Sequence, residues 1–514
     1  MRVALINLPT RYDLKVINIG MYYIARAVRD AGHELSVFDC VSENLSIQDV
    51  IFSLKRNRPD VIALSGMVTT YYFLEPLCAE VKKAFPDIPI LAGGSVGSSI
   101  VNIIEKHTGI DYVIEGEGED AVVEFLKALE SGKADYSNIA GLYFRRDGKF
   151  RYTRSRNYEG TSIGALDKIP YPSYEDINME FYISNITKIF GSILPNFPEY
   201  RDRKFRLFPL VPTRGCPYSC SFCYRLIKKH RTHSVDYLIN QIKFLAERYN
   251  INGFPLFDEL IMASPEWLMS FCDRVAEEKL DVIFFSGGGK PNLVKKDLLA
   301  MMKRANFVKL GYGVESGSQK ILDMMSKKTT VEQNYRAVMD TYDAGIFSQS
   351  NFVFGHPGEN KDTIRETARF IARTNRTKEN YQIFFLAVYP GTEVYDHALS
   401  KGLIKDERDH LLKVTGQSDY LVNLSEFKTR NDLIFNVWKY INLYDGVTLF
   451  KKGRVFAAFN RWMRMLLSVF TFYISGKKWP RGEDFIKRLI SGMTSYKFKD
   501  QDFLTGEIDP LKVN

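Results

Sequence analysis

Three of the chain's six cysteines fall within eight residues, in the segment RGCPYSCSFCYR: Cys216, Cys220 and Cys223, spaced CxxxCxxC. Thiolates are soft metal ligands, and three of them on one short glycine-bearing loop can converge on a single centre. Structural zinc normally takes four protein ligands. The zinc alternative therefore needs His230 or His233 to complete the set. Three thiolates suit better a cubane iron–sulfur cluster with one iron left open to a substrate or cofactor. A disulfide scaffold spreads its cysteines, so this clustering points to a reducing cytoplasm and to metal ligation.

Such a loop must be launched by rigid elements, and the sequence around it supplies them in series. From about 206 to 400, short apolar runs alternate with helical stretches: Leu207–Pro212, Gly253–Phe257, Val282–Ser286, Phe307–Gly313, Ser350–Gly355 and Tyr381–Tyr389 read as strands. The cysteines follow directly on the first. Six such units fit a parallel partial (β/α)6 barrel, although periodicity alone does not separate that from a second flat sheet. Residues 1 to about 135 alternate in the same way, with strands expected at Val3–Pro9, Leu35–Cys40, Val61–Met67, Ile90–Gly94 and Tyr112–Gly116. Helices are expected near 20–31, 46–57, 72–85, 98–106 and 119–131. Continuously apolar, β-branched strands imply cover on both faces, hence a doubly wound parallel sheet. Ligands of such sheets sit outside the carboxyl ends of the strands. Those ends carry Pro9-Thr10, Ser65-Gly66-Met67, Gly93-Gly94-Ser95 and Gly116-Glu117-Gly118-Glu119, so small residues cluster where a large ligand would approach. Residues 136–205 read as a linker with a hairpin at Arg146-Asp147-Gly148, and residues 401–514 as mainly helical.

The cysteine loop, with Phe222 as the aromatic before the third cysteine, closely resembles that of the radical S-adenosylmethionine (SAM) superfamily. The resemblance implies a [4Fe–4S] cluster on Cys216, Cys220 and Cys223, whose open iron chelates SAM. Further segments match that family in order: FDEL at 257–260, GVESGS at 313–318, GHPGEN at 355–360 and YPGTEVYD at 389–396. By that likeness Asp258 or Glu259 would hold the SAM amino group, and Glu315 and Ser316 would lie near its ribose or methionine. The run Ser286–Lys290 departs from the pattern, placing Lys290 where relatives carry Arg, as a weaker choice for the SAM carboxylate.

Residues 1–135 resemble the cobalamin (vitamin B12)-binding domains that precede the barrel in the B12-dependent radical SAM class. The likeness rests on the strand-end glycines of LAGGS and YVIEGEGED. It implies Gly93 and Gly94 beside the cofactor's benzimidazole, Gly116 and Glu117 near its tail, and Ser65, Met67 and Thr69 beneath the corrin. The stretch from Pro9 to Gly20 contains no His to ligate cobalt, so the lower face is expected unligated, or approached by Met67 or Thr70.

The overall balance, 70 Lys and Arg against 61 Asp and Glu, gives +9 with an ordinary globular composition of 45% hydrophobic and 25% charged residues. Residues 448–490 hold ten basic and two acidic residues, which locates +8 of that charge. A diffusely basic nucleic-acid binder is thereby excluded. Within this stretch Val455, Phe456, Phe459, Trp462, Met463, Leu466, Leu467, Phe470, Tyr473 and Ile474 recur at helical spacing. Such a stripe packs on the barrel, lies on a membrane surface or, with its basic flank, contacts nucleic acid, and its aromatic–basic interleaving does not decide between these. No run reaches the ~20 apolar residues of a membrane span, and the opening MRVALINLPT reads as a strand rather than an export signal.

The resemblance implies a cytoplasmic enzyme, peripheral to membrane if its basic helix lies there, that takes an electron from a donor such as ferredoxin or flavodoxin. It would form a 5′-deoxyadenosyl radical and methylate an unactivated carbon of a small or lipophilic substrate, with cobalamin as methyl carrier. Relatives also cyclise or rearrange their substrates. A methylthiotransferase would need three amino-terminal cysteines for a second cluster, and only Cys40 and Cys78 stand there. A non-catalytic cobalamin sensor would have no use for an open-iron loop.

Overall fold

The computed structural model describes residues 1–474 apart from 12–14, 133–134, 157–163, 376–379 and 417–418. Residues 475–514, with five of the ten basic residues of the stretch 448–490, lie outside the described residues, as do the side chains at 464–465 and 467–474.

The first domain is built on β1 (Arg2–Asn7), β2 (Glu34–Asp39), β3 (Val61–Ser65), β4 (Ile90–Gly93) and β5 (Tyr112–Ile114), all parallel in the order β2-β1-β3-β4-β5. The chain runs outward from β1 to β2 and then back across to β3, so the switch point lies between β1 and β3. Alternation along β1 shows why both faces are covered. Val3 and Leu5 pack with helices Ile19–Asp30 and Glu119–Glu130, whereas Ala4 and Ile6 pack with Ile47–Arg56 and Tyr71–Ala84. The hairpin expected in the linker forms, but as part of this sheet. Strands β6 (Leu142–Arg146) and β7 (Lys149–Tyr152) add antiparallel to β5, turning through Asp147 and Gly148 at φ 53° and 77°.

The cysteine loop is bracketed by two short strands, β8 (Thr213–Arg214) and β9 (Arg231–Thr232), paired antiparallel. Five longer strands follow: β10 (Gly253–Leu256), β11 (Ile283–Gly289), β12 (Phe307–Glu315), β13 (Phe347–Phe354) and β14 (Tyr381–Phe385). They are parallel and adjacent in chain order. Right-handed crossovers that never reverse direction leave their helices on one face, which is barrel topology rather than a second doubly wound sheet. The expected first strand, Leu207–Pro212, contributes only the bridges Leu207–Gly253 and Leu210–Leu256.

On the helix side, Phe254, Phe284, Phe307, Leu310 and Tyr312 pack with Trp267 and Phe271. On the opposite face, Leu207, Ile283, Phe285, Val308 and Phe347 are covered by the linker itself, through Ile186, Ile193 and Leu194. The same linker helix, Met179–Phe190, reaches back to the first domain. Its Tyr182 hydroxyl donates to Asp39 Oδ2 at 2.6 Å, beside Tyr22 at 2.9 Å, while Asn7 Nδ2 donates to Oδ1 at 2.8 Å. Asp39 is buried at the end of β2, and a buried carboxylate needs such partners. Burial first, then the nearby Asp39 charge, raises both phenols well above their ordinary range.

Beyond the barrel, helix Arg430–Lys451 packs on Lys361–Thr374, and helix Val455–Ile474 folds back along it. Among the described side chains of that last helix, most of the expected apolar stripe is exposed and only Trp462 of it packs inward. Ala458 is buried and Trp462 meets Phe450 at 6.0 Å, whereas Val455, Phe456, Phe459, Met463 and Leu466 are exposed. Arg461 is tied to Asp445 at 2.6 Å. Among the described residues no helix is long and apolar enough to cross a membrane.

Candidate active site

The cysteine loop is held by its neighbours at several points. Gly215 sits at φ +86°, and a Cβ there would run into the Lys229 carbonyl, so the loop's two legs touch through a glycine. Inside the loop, Ser221 is fixed three ways. Its N–H donates to the Met325 carbonyl at 3.0 Å, its carbonyl accepts from Val394 N–H at 3.2 Å, and its hydroxyl lies 3.0 Å from His356 Nε2. His356 is buried, which brings its pKa down to about 4 and keeps the ring neutral. Phe222 packs on the cluster of Leu386, Val388 and Val394. The loops that follow β12, β13 and β14 thus all grip the centre of the cysteine loop.

Cys216, Cys220 and Cys223 are free thiols. Burial pushes Cys223 up to about 11, with further upward pressure from Cys220 and Cys216. Cys216 is likewise raised, by burial first and later by Cys220. The three therefore share one electrostatic neighbourhood. Among the described residues no three His, Cys, Asp or Glu side chains form a closed coordination set. The fit to an iron–sulfur cluster rests on donor chemistry, three unpaired thiols on one braced loop. His233, a possible fourth ligand to zinc, is otherwise engaged. It is fully buried, stacks on Tyr237 at 3.9 Å and lies 3.3 Å from Asp167. His230 is buried as well, its Nε2 without a partner. Cys40, Cys78 and Cys272 lie in apolar cores, away from such a loop.

Around the loop the structure gathers several of the other expected residues. Asp258 Oδ2 accepts from Thr213 at 3.3 Å while its Oδ1 is inaccessible and unpartnered. Burial, then the neighbouring Glu259 charge, raises Asp258 to about 8. Glu259 accepts from Gly215 N–H at 2.9 Å and so braces the loop. The Lys290 ammonium lies 4.1 Å over the ring of Tyr218, inside the cysteine loop, and donates to the Lys327 carbonyl. Burial, then Lys327, lowers it to about 8. Glu315 is buried at φ +63° and pairs with Lys327 at 2.6 Å. Gly313 makes room for this pair, since a Cβ there would collide with Glu315 Oε1 and stand 2.7 Å from Lys327 Nζ. Ser316 is committed elsewhere, its hydroxyl bonded to Thr367 at 3.0 Å and to Ser318 N–H at 3.1 Å.

Sequence reasoning missed Lys327 and His356 as site residues. Lys327 is buried, senses Cys220 and Cys223, and pairs with Glu315. A single Lys or His on a loop carries no periodic signal. Only tertiary burial distinguishes these two.

On the first domain, the strand ends open toward the same region. Ser65 accepts from Asn18 Nδ2 at 3.3 Å. Met67 is 50% exposed, Thr69 is buried with its hydroxyl unpartnered, and Thr70 is buried and donates to the Met67 carbonyl at 2.7 Å. Of the side chains expected near a corrin's lower face, Met67 is therefore the accessible one, and Thr70 is not available. Nothing stands within 4 Å of a Cβ placed on Gly93, whereas Gly94 at φ +75° brings the backbone close to the Gly66 carbonyl. Gly116 N–H donates to the Ser98 hydroxyl at 3.1 Å. These open positions and the unpartnered Thr69 hydroxyl fit a large flat cofactor. Glu117 differs from expectation. Its carboxylate is engaged by Arg231 and lies 3.5 Å from Arg214, which also pairs with Glu119 at 2.7 Å. What this turn offers a cofactor is backbone rather than the Glu117 side chain.

The two sets of strand ends are joined at the cysteine loop. Arg214 precedes it and Tyr224, raised to about 12 by burial, follows Cys223 and lies beside Ser98 of the first domain. A Cβ placed on Gly391 would stand 3.0 Å from the Tyr224 ring and 3.9 Å from Ser99 Cβ, so a glycine lets the loop after β14 approach both.

Comparison with known proteins agrees with both halves. Residues 210–371 match the Radical SAM superfamily, and residues 10–126 match the B12 binding domain. An uncharacterized methyltransferase of Pyrococcus horikoshii is 25% identical over 415 residues, covering 79% of this chain and 84% of that protein. The anaerobic magnesium-protoporphyrin IX monomethyl ester cyclase of Rubrivivax gelatinosus is 25% identical over 370 residues, covering 70% of this chain and 63% of the cyclase. In fold, the chain matches the radical SAM methyltransferase TsrM of Kitasatospora setae, solved with cobalamin and a [4Fe–4S] cluster bound. That match has a TM-score of 0.63 at 15% identity and covers 78% of each chain.

Proposed function

We propose, from the premise that this chain belongs to the cobalamin-dependent radical SAM enzymes, that it methylates an unactivated carbon of a small or lipophilic substrate. Its cofactors are a [4Fe–4S] cluster, SAM and cobalamin. When bound, the cluster and SAM supply a 5′-deoxyadenosyl radical and the cobalamin supplies the methyl group. The chain's own part is to bind, orient and exclude water. Cys216, Cys220 and Cys223 would hold the cluster. Asp258 and the more exposed Glu259 supply carboxylates suited to an ammonium, and Lys290 and Lys327 suit a carboxylate, so SAM's methionine end has candidate partners of both signs beside the loop. Met67, Thr69, Gly93, Gly94 and Gly116 line the surface on which a corrin would rest.

One observation carries this reading. The free-thiol loop is fastened to the glycine-opened strand ends of the first domain, by Arg214 to Glu119 on one side and by Tyr224 to Ser98 on the other. Both cofactors would then face one shared space. Anaerobic reconstitution with iron, sulfide and cobalamin, followed by reduction with SAM present, should yield 5′-deoxyadenosine, and Cys223→Ala should abolish it. A colourless zinc protein that makes none would defeat the proposal. A cyclisation, favoured by the likeness to the protoporphyrin ester cyclase, is separated by labelled SAM: a methyltransferase puts the label into product and a cyclase does not.

The reductant would be a one-electron donor such as ferredoxin or flavodoxin, in the cytoplasm. The exposed Val455, Phe456, Phe459, Met463 and Leu466, flanked by exposed Lys451, Lys452 and Arg454, suit peripheral contact with an anionic membrane. Replacing those three basic residues with Gln should weaken sedimentation with anionic liposomes. Unchanged sedimentation would remove the membrane from the account.

A further inference from the structure

The turn Gly116-Glu117-Gly118-Glu119 and the arginine before the first cysteine are adjacent in space although about 100 residues apart in sequence. Arg214 and Arg231 are direct partners in the β8–β9 ladder, so they form the two legs of the stem from which the cysteine loop hangs. Glu119 pairs with Arg214 at 2.7 Å, and Glu117 bridges both arginines, 3.5 Å from Arg214 and bonded to Arg231. The side chains are 4–14% exposed. Arg214 also lies 4.8 Å over the ring of Tyr23, from the first helix of the first domain. Four charges removed from water are costly unless mutually paired, so they hold one arrangement rather than sliding past one another. Glu117 and Glu119 stand at the end of β5, on the surface where the cobalamin would sit. Gly215, directly after Arg214, is held in turn by Glu259 and leads into Cys216.

We propose that Glu117 and Glu119 are positioning residues that clasp both legs of the cysteine-loop stem and so fix the cluster-bearing loop relative to the cobalamin-bearing strand ends. The clasp rests on the reading of the two cofactor sites above. Its role is to set the spacing and orientation of two reagents that must act on one substrate, not to touch either reagent.

Two measurements test it, one of them free of cofactors. In reconstituted, reduced protein, the reduced cluster should broaden the electron paramagnetic resonance signal of cob(II)alamin. Glu117→Gln and Glu119→Gln should retain both cofactors yet lose at least half of that broadening, whereas Arg231→Lys, which keeps the charge, should retain it. An unchanged line shape in both glutamine variants would overturn the proposal. In cofactor-free protein, hydrogen–deuterium exchange across residues 213–232 should quicken at least tenfold in Glu117→Gln, with the sheet of the first domain unaffected. Unaltered exchange there would equally overturn it. A wild-type chain that bound no cobalamin would defeat the functional reading, and the exchange measurement would still decide whether the clasp holds the loop.

Discussion

Replacing Lys327 with Met should cost the barrel far more than an exposed lysine would. The Lys327 ammonium is 2.6 Å from Glu315 Oε1, and both side chains are at most 10% exposed. At that distance and an effective dielectric of 20 the attraction is about 6 kcal/mol, offset by several kcal/mol of desolvation. Removing one partner leaves a carboxylate buried and uncompensated, for a net loss of about 3–5 kcal/mol. For a barrel of this size each kcal/mol moves the melting temperature by about 2–4 °C, so its calorimetric transition should fall by roughly 6–20 °C. The double variant Glu315→Gln with Lys327→Met removes both charges and should lie within about 2 kcal/mol of wild type, because a buried pair is worth little against neutral groups of similar shape. Burial alone would lower the lysine, but Glu315 overrides it and the ammonium is held above its ordinary value. Its contribution is therefore complete below about pH 10 and is lost only as pH rises through the raised value. A penalty under about 1 kcal/mol, or one no smaller in the double variant, would refute this account of the pair.

Three further outcomes are expected. His356→Leu leaves the Ser221 hydroxyl buried without its partner and should cost about 1–3 kcal/mol, read as faster loss of iron from the reconstituted cluster, whereas His356→Gln should keep most of it. Gly215→Ala forces a Cβ toward the Lys229 carbonyl at a left-handed φ, and it should reduce iron incorporation to a small fraction of wild type while the first domain still binds cobalamin. Asp258 is raised to about 8, chiefly by burial. Its neutral form favours folding at acid pH, and this contribution is lost as pH rises from about 4 through 8. Asp258→Asn should accordingly flatten the fall in melting temperature between pH 6 and 9, and an identical slope in the variant would contradict the assignment.

Much of the architecture is legible in local pattern. The continuously apolar strands of both domains and the CxxxCxxC loop depend on neighbours in sequence, and all but the strand expected at Leu207–Pro212, which makes only isolated bridges, emerge within a few residues of the expected bounds. What escapes depends on distant partners. Glu117 reads as a cofactor contact because its glycine flanks look like a binding turn, yet Arg214 and Arg231 claim its carboxylate from another domain. The stripe on Val455–Ile474 has helical spacing, but periodicity does not say which of its residues pack: Trp462 does, beside Ala458, whereas Phe456 and Phe459 stay exposed. The hairpin at Asp147 is plain from its turn residues, whereas its union with β5 depends on an edge left open by the sheet.

The three-way grip on Asp39 constrains how the chain can be made. Two of its partners, Asn7 and Tyr22, precede it in the chain and leave the ribosome first. The third, Tyr182, is 143 residues further on. At about 5–20 residues per second this is a delay on the order of 10–30 s. Through that interval the amino-terminal sheet carries a carboxylate built for a partner that has not yet been translated. A nascent chain halted near residue 135 should therefore hold a looser first domain than one halted beyond residue 190, and the linker helix would complete the domain that precedes it.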